Sequence, residues 1–179
     1  MKKILLIALI VTILSNVSKA QVFNTGQTLS PGTFSVGIQP AVLINGNSDF
    51  MLFLHGGYGV TRGIDFALKL GVLGNNNYFG ADVEFALDRN MTVSFGAHDF
   101  GVFGLDGTFL IDIPLRNDVR LFTGADMDIN FANETQFLLW LPIGIEIGLK
   151  SNMNFIFESS IGLTDPAYNL IGGGINFYF

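Results

Sequence analysis

The chain ends in the stretch Tyr168-Asn-Leu-Ile-Gly-Gly-Gly-Ile-Asn-Phe-Tyr-Phe179. Every second residue counted back from Phe179 is apolar or small, and the residues between are amphipathic, polar or small. A period of two is the period of a β-strand, whose successive side chains point to opposite faces. A strand that finishes a chain on an apolar aromatic residue frays unless it is tied down. The stretch therefore predicts a terminal strand with one apolar face, held in a sheet up to its last residue.

This terminal strand resembles the closing strand of bacterial outer-membrane β-barrels, which has one face towards lipid and one towards the lumen. Its last residue, Phe179, is similar to the C-terminal signature that the bacterial barrel-assembly machinery reads. The resemblance is to small outer-membrane β-barrel proteins in general, and it transfers no active site. It implies a location in the outer membrane of a Gram-negative bacterium. Outer-membrane lipids, and the barrel-assembly machinery during biogenesis, are the implied partners.

Residues 1–20 have the pattern of a secretory signal peptide. Lys2 and Lys3 form a positive start, residues 4–14 are apolar, and Ser18 and Ala20 are small residues at the positions that a signal peptidase requires. We expect cleavage before residue 21 and export. The apolar run is too short for a membrane-spanning helix, and no later run reaches the necessary length of about 20 residues. Any membrane span must then consist of strands.

The composition excludes several classes of protein. The chain has no cysteine, which excludes a lipoprotein anchor and disulfides. Without Lys2, Lys3 and Lys19, 6 basic residues remain against 15 acidic ones, a net charge of −9. That balance excludes nucleic acid as a partner, because nucleic-acid binding requires clustered Lys and Arg. The 22 glycines and 18 phenylalanines are typical of strands packed against hydrocarbon.

Four short turns, each with a charge, divide the chain at a period that fits one hairpin of two strands. They are Thr61-Arg-Gly63, Asp88-Arg-Asn90, Arg116-Asn-Asp118 and Lys150-Ser-Asn152. Less sharply defined polar connections lie between them, the first over residues 43–49.

The prediction is an all-β chain: a single closed antiparallel up-and-down transmembrane β-barrel over 32–179, after a periplasmic lead-in at 21–31. Ten strands are favoured over the alternative of eight because each predicted hairpin shows its own alternation of apolar and polar residues. They are 32–42, 50–60, 64–73, 79–87, 91–99, 103–113, 119–131, 137–149, 154–163 and 168–179. The charged turns are expected at the periplasmic end and the polar loops at the extracellular end.

Three prolines complicate the alternation, and one of them, Pro114, falls near a predicted strand end. Pro40 and Pro142 fall inside predicted strands, where each removes a donor of the hydrogen-bond ladder. We expect a β-bulge at Pro40 and at Pro142, since a bulge inserts one residue and shifts local facing. The facing of Leu138 and Trp140 therefore stays open.

The alternation predicts an acidic lumen. Nine carboxylates and only two clearly basic side chains point inward, together with both histidines. The predicted lumen-lining residues are Asp65, Lys69, Asp82, Glu84, Asp106, Asp112, Arg120, Asp126, Asp128, Glu146, Glu158, His55 and His98. Unpaired buried carboxylates are costly, so water, protons or small cations must accompany them. Two functions fit: a filled barrel with a structural or interaction role, because small barrels are usually filled by side chains, or a narrow cation-preferring pore, because rings of Asp and Glu select cations.

No constellation of residues predicts an enzyme, a cofactor or a metal. His98 and Asp99 resemble in type the pairs of the outer-membrane proteases called omptins, but neighbours in a strand point to opposite faces. Ser94 shares the face of His98 at about 13 Å, too far for a direct contact. An outer-membrane hydrolase stays an alternative that needs a base and a nucleophile converging near His98. A further alternative is a soluble secreted β-sandwich, whose apolar stripes a second sheet would cover.

Overall fold

The computed structural model describes residues 25–179, and the predicted signal peptide, 1–20, lies outside the described residues. Ten strands follow one another in the described part of the chain. They are β1 (Phe34–Asn45), β2 (Asn47–Thr61), β3 (Ile64–Val72), β4 (Tyr78–Asp88), β5 (Met91–Asp99), β6 (Phe103–Pro114), β7 (Val119–Phe131), β8 (Thr135–Lys150), β9 (Met153–Gly162) and β10 (Asn169–Tyr178).

Each strand pairs antiparallel with its neighbours in sequence, and β1 pairs with β10, so the sheet is a closed barrel. The predicted fold and the count of ten strands are confirmed, and the alternative of eight strands is wrong. The β-sandwich alternative is also wrong, because the single sheet closes on itself. Closure extends to the last residue: the N–H of Phe179 donates to the carbonyl of Phe34 over 2.8 Å. The terminal strand is thus tied down, as its sequence required.

The two ends of the barrel differ in their connections. The four charged turns lie together at one end, which we call the turn end, and the other five connections lie at the opposite end, the loop end. The predicted loop over 43–49 is wrong: β1 and β2 continue to Asn45 and Asn47, and Gly46 alone separates them. Gly46 has φ 70°, a left-handed backbone conformation that glycine adopts without strain.

The bulges predicted at Pro40 and Pro142 are wrong. Pairing of β1 with β10 stops at Ile38–Ile175 and resumes in the same register at Ala41–Gly172. Pairing of β7 with β8 skips two residues on each strand around Pro142 in the same way. Each proline therefore interrupts one ladder without an inserted residue. The register shifts lie elsewhere, beside turns of the turn end, between Gly59 and Thr61, Ala86 and Asp88, and Gly148 and Lys150.

The outer face of the barrel is apolar. In β1 every second residue is exposed, and Phe34 and Val36 are 58 % and 55 % exposed. Aromatic side chains lie on this face towards both ends, with Phe34 against Tyr58 at the turn end and Phe103 stacked on Phe131 at the loop end. Soluble monomers rarely expose contiguous apolar patches beyond a few hundred Å². Within residues 25–179, no helix has the length and apolar character to span a bilayer.

Candidate functional site: the lumen of the barrel

The structure places all the predicted lumen residues on the inward face and separates them into two groups. Six of them are at most 6 % exposed: His55, Asp65, Glu84, His98, Asp112 and Glu146. The other seven are more exposed, and they also line cavities: Lys69, Asp82, Asp106, Asp126, Asp128 and Glu158 towards the loop end, and Arg120 at the turn end. Leu138 and Trp140, whose facing the sequence left open, are 4 % and 3 % exposed. They share the inward parity of Glu146 because no bulge intervenes at Pro142.

A cavity of about 80 Å³ lies in the loop half of the lumen, and we call it the acidic cavity. Five carboxylates from four strands line it: Asp82, Asp106, Asp126, Asp128 and Glu158. A smaller hollow of about 40 Å³ shares Lys69, Thr108, Asp126 and Glu158 with it and extends towards His55 and Leu110. Two of the carboxylates have hydroxyl partners, since Thr108 donates to Asp126 over 2.6 Å and Ser160 to Glu158 over 2.8 Å.

Two carboxylates of the acidic cavity, those of Asp82 and Asp106, meet in the space beside the Gly96 backbone. A Cβ atom added at Gly96 would lie 1.9 Å from Oδ1 of Asp82 and 2.6 Å from Oδ1 of Asp106. The absent side chain of Gly96 therefore provides the space in which the two carboxylates meet. Two carboxylates this close repel each other unless a proton or a cation lies between or beside them.

His98 is held inside the lumen by polar partners. Its Nδ1 lies 3.2 Å from Asp106, and its Nε2 lies 3.0 Å from Asn130 and 3.6 Å from Asp128. Asp99 is exposed on the opposite face, as strand alternation predicts. Among the described residues, no serine, threonine or other nucleophilic hydroxyl is hydrogen-bonded to His98.

Aromatic side chains line the acidic cavity towards the loop end, and Phe100 packs against two of them. We call this group the aromatic cap: Phe53, Tyr78, Phe100, Trp140 and Tyr168. Tyr78 is 5.8 Å from Phe53 and 6.0 Å from Phe100, and Tyr168 is 6.3 Å from Phe100 and 5.3 Å from Trp140 between ring centroids. The indole N–H of Trp140 donates to the carbonyl of Tyr168 over 2.6 Å. Burial, reinforced by nearby carboxylates, raises the pKa of the Tyr168 phenol, which therefore stays neutral.

Lys69 brings a positive charge to the aromatic cap. Its Nζ lies 5.4 Å from the centroid of the Phe53 ring and 6.0 Å from that of Tyr78. An ammonium within about 6 Å of an aromatic face is attracted by the ring quadrupole. The sequence pattern predicts the inward position of Lys69 but not the rings around it. Residues an even number of positions apart in a strand share a face. Tyr78 therefore shares the inward face of Asp82 in β4, and Phe53 shares that of His55 in β2, so alternation could have predicted that both rings point into the lumen.

The turn half of the lumen is occupied by residues 25–33, which we call the N-terminal segment. Its backbone bonds to inward side chains of several strands: Gly26 N–H donates to Asp112 over 2.8 Å, and Leu29 N–H to Asp65 over 2.6 Å. The Thr92 hydroxyl donates to the carbonyl of Thr25 over 2.8 Å. These partners belong to β3, β5 and β6, so the segment lies across the lumen. No periodic pattern in the sequence predicts this placement.

Apolar packing fixes the same segment. Leu29 is 1 % exposed and packs against Tyr178 of β10. Close approach to the wall is possible because β2 has a glycine there: a Cβ at Gly59 would lie 2.0 Å from the carbonyl oxygen of Ser30. Gly32 N–H donates to the carbonyl of Gly59 over 2.8 Å. The segment is therefore packed as part of the barrel interior.

Three of the four carboxylates in the turn half, Asp65, Asp112 and Glu146, have close polar partners, and the fourth, Glu84, lies opposite Asp65 on the neighbouring strand. Arg120 contacts Glu146 through Nη2 at 2.5 Å and Nε at 2.9 Å, lies 3.6 Å from Asp112, and donates to the side chain of Gln27. Glu146 also accepts a hydrogen bond from Asn154. A recess of about 210 Å³ lined by Arg120, Glu146 and Asn154 lies on the turn side of this network.

A layer of apolar side chains separates the two halves. Phe122, Ile156 and Leu110 are at most 2 % exposed. The Phe122 ring covers Gly144, where a Cβ would lie 2.0 Å from its Cζ. Phe122 and Ile156 pack against each other, and we call these three residues the apolar floor. Among residues 25–179, no group of three or more His, Asp or Glu has the arrangement of a metal site.

No family model matches this chain, and no curated protein matches it. The solved structures similar to it include the KdgM porin, at 10 % identity and a TM-score of 0.49 over 81 % of this chain and 99 % of that one. The N-terminal β-barrel domain of Pseudomonas aeruginosa OprF is 12 % identical, with a TM-score of 0.42 over 83 % and 98 % of the two chains. Neisserial surface protein A is 11 % identical, with a TM-score of 0.42 over 82 % and 96 %.

Identities this low transfer no ligand and no activity to this chain. The class of protein follows from the chain itself: a closed antiparallel barrel of ten strands with an apolar outer face. This is the architecture of small outer-membrane β-barrels.

Proposed function

We propose that the chain is a non-enzymatic outer-membrane β-barrel protein with a structural or interaction role and a closed lumen. The observation that carries the proposal is the N-terminal segment across the turn half of the lumen, bonded to Asp65 and Asp112. The apolar floor adds a second layer that excludes water from the centre of the barrel. An interior filled by side chains is the usual state of small barrels.

The location and partners follow from the outer surface and from the sequence. The exposed apolar face fits the hydrocarbon of a bilayer, and aromatic residues near both ends fit its interfaces. Export through a cleaved signal peptide, with assembly in the outer membrane of a Gram-negative bacterium, is part of the proposal. Outer-membrane lipids and the barrel-assembly machinery are the proposed partners, and nucleic acid is not one.

Conductance in a planar bilayer tests the closed lumen. Residues 21–179, refolded and inserted, should give no discrete openings under a salt gradient, while heat-modifiable migration on a denaturing gel verifies the folded barrel. A variant that lacks residues 21–31 and carries Phe122→Ala serves as the positive control, since it lacks most of the N-terminal segment and the central ring of the apolar floor. It should conduct with a cation-selective reversal potential. Discrete openings of the unmodified chain would contradict the proposal.

A narrow cation-preferring pore is the second candidate, and the excess of lumen carboxylates favours it. Openings of the unmodified chain that favour cations would support this candidate. Replacement of Asp126 and Glu146 by Asn and Gln should then lower the cation selectivity, because rings of carboxylates select cations. In a closed barrel the same changes should affect stability only.

A further inference from the structure

We propose that the acidic cavity and the aromatic cap together form a binding site for a small organic cation, a primary amine or a guanidinium, that enters from the loop end. The site goes beyond the closed-barrel function, because it needs no passage through the apolar floor. It combines three features: a partly enclosed space, an excess of acidic over basic side chains, and aromatic faces.

The titratable side chains that line the cavity are mostly acidic. Five carboxylates line it, and Lys69 is the single basic side chain among its described lining residues. His98, behind Asp106 and Asp128, can add at most one further positive charge. Carboxylates removed from bulk water are stable only when paired, hydrogen-bonded or accompanied by a cation. The lining therefore favours the entry of additional positive charge.

The aromatic faces point independently to an organic cation. The Lys69 ammonium already lies over the rings of Phe53 and Tyr78, so an ammonium group of the chain itself occupies part of the cavity. Recognition of alkylammonium groups by aromatic faces is a common use of the cation–π interaction. Trp140 and Tyr168 present two further rings to the same space. A second ammonium or a guanidinium finds in this cavity the surroundings that Lys69 has.

The spacing of the carboxylates disfavours an inorganic ion. Calcium and similar ions require six to eight oxygen atoms in a compact shell. Among the described residues, no three acidic or histidine side chains come together in such a shell. The five carboxylates instead come from β4, β6, β7 and β9, around a volume of about 80 Å³. That space holds several water molecules, or a ligand of a few heavy atoms.

Titration with ethylammonium chloride tests the site in the refolded chain, with calorimetry and the fluorescence of Trp140 as readouts. Trp140 is the single tryptophan of the chain and belongs to the aromatic cap. We expect saturable binding of ethylammonium. Ethanol, a neutral molecule of the same size, should not bind, and sodium chloride at the same concentration should not compete.

Three variants distinguish the site from general attraction to an acidic protein. Asp126→Asn should weaken ethylammonium binding by about tenfold, because it removes a charge from the lining. Asp165→Asn, in the exposed loop between β9 and β10, should leave binding unchanged. Lys69→Met should strengthen binding by about tenfold, since the internal ammonium no longer competes for the aromatic faces. Heat-modifiable migration verifies that each variant is folded.

Several outcomes would overturn the proposal. Absence of saturable binding to both the unmodified chain and Lys69→Met excludes the site. If Asp165→Asn and Asp126→Asn weaken ethylammonium binding equally, or if sodium competes equally well, the binding is only a general attraction of cations to an acidic protein. The result is separate from conductance: a conducting chain that binds ethylammonium contradicts only the closed lumen, and a silent chain that does not bind contradicts only the site.

Discussion

The two halves of the lumen are built from the same strands and hold the same kind of residue, but their carboxylates have different partners. In the turn half, Asp65 and Asp112 accept hydrogen bonds from backbone N–H groups, and Glu146 binds Arg120. In the loop half, Asp82 and Asp106 face each other above Gly96, and a cavity remains between the carboxylates. The same inward parity thus produces mostly partnered carboxylates at the turn end and, at the loop end, carboxylates that surround a cavity.

The difference shows that the partner of a lumen carboxylate decides its role. Removal of a partner from a buried charge is strongly destabilising, because the charge stays in a poorly solvated place. Removal of one of two adjacent like charges relieves repulsion instead. Substitutions that break the contacts of Asp65, Asp112 or Glu146 with their partners should therefore destabilise the barrel, and a substitution at Asp82 should not. Unfolding by urea in lipid vesicles, followed by the fluorescence of Trp140, measures each effect.

Arg120→Met should have the largest effect on the turn half. It leaves Glu146, 2 % exposed, without its cation and removes the nearest positive charge from Asp112. Breaking a buried ion pair in this way costs about 3–5 kcal/mol. The matched control is Arg116→Met in the exposed turn between β6 and β7, which should change the free energy of unfolding by less than about 0.5 kcal/mol. Equal effects of the two substitutions would contradict the partner argument.

Leu29→Ala tests the N-terminal segment as part of the packed interior. Leu29 is 1 % exposed against Tyr178, and truncation of a buried leucine costs about 2–5 kcal/mol. Leu115→Ala is the control, because Leu115 is 54 % exposed beside a turn of the same end. A segment that only rests at the barrel mouth would give the same small loss for both variants.

Asp65→Ala should have the next largest effect. The Leu29 N–H then loses its acceptor in a buried position, at a cost of about 1–3 kcal/mol. Asp165→Ala on the exposed loop provides a control for the loss of one negative charge. When residues 21–31 are removed, the Asp65→Ala substitution should no longer lower the free energy of unfolding, since the donor is then absent. A loss that persists without the segment would assign the role of Asp65 to another partner.

The fold could be predicted from the sequence because a period of two repeats in every hairpin. A slip of one residue would turn every carboxylate of a strand into the apolar outer face, so the register is strongly determined. The loop predicted over 43–49 was too long, because Asn45, Asn47 and Ser48 are typical turn residues, whereas a single glycine suffices for the connection. The bulges were wrong because a proline can leave a gap in one ladder without an inserted residue.

The candidate site could be predicted only in part, for a physical reason. Alternation gives the facing of a side chain within a strand, and it placed the carboxylates inward. It does not give the register between neighbouring strands or the conformations of side chains. The approach of Lys69 in β3 to Phe53 and Tyr78, on the two strands beside it, could therefore not be predicted. The N-terminal segment has no strand period, and its contacts with Asp65 and Asp112 arise only when the barrel closes around it.

Asp82→Asn should have the smallest effect and the opposite sign. Asp82 and Asp106 approach each other above Gly96, and an asparagine amide can donate to the Asp106 carboxylate where the second carboxylate repels it. We expect the free energy of unfolding near pH 7 to rise by about 1 kcal/mol or less. Asp106→Asn is the matched variant on the other side of Gly96, and it should destabilise, because Asp106 also binds His98 over 3.2 Å. If both substitutions destabilise equally, the carboxylate pair is held by a bound proton or cation as firmly as Glu146 is held by Arg120. The two halves of the lumen would then follow one rule, with a small partner at the loop end in the place of an arginine.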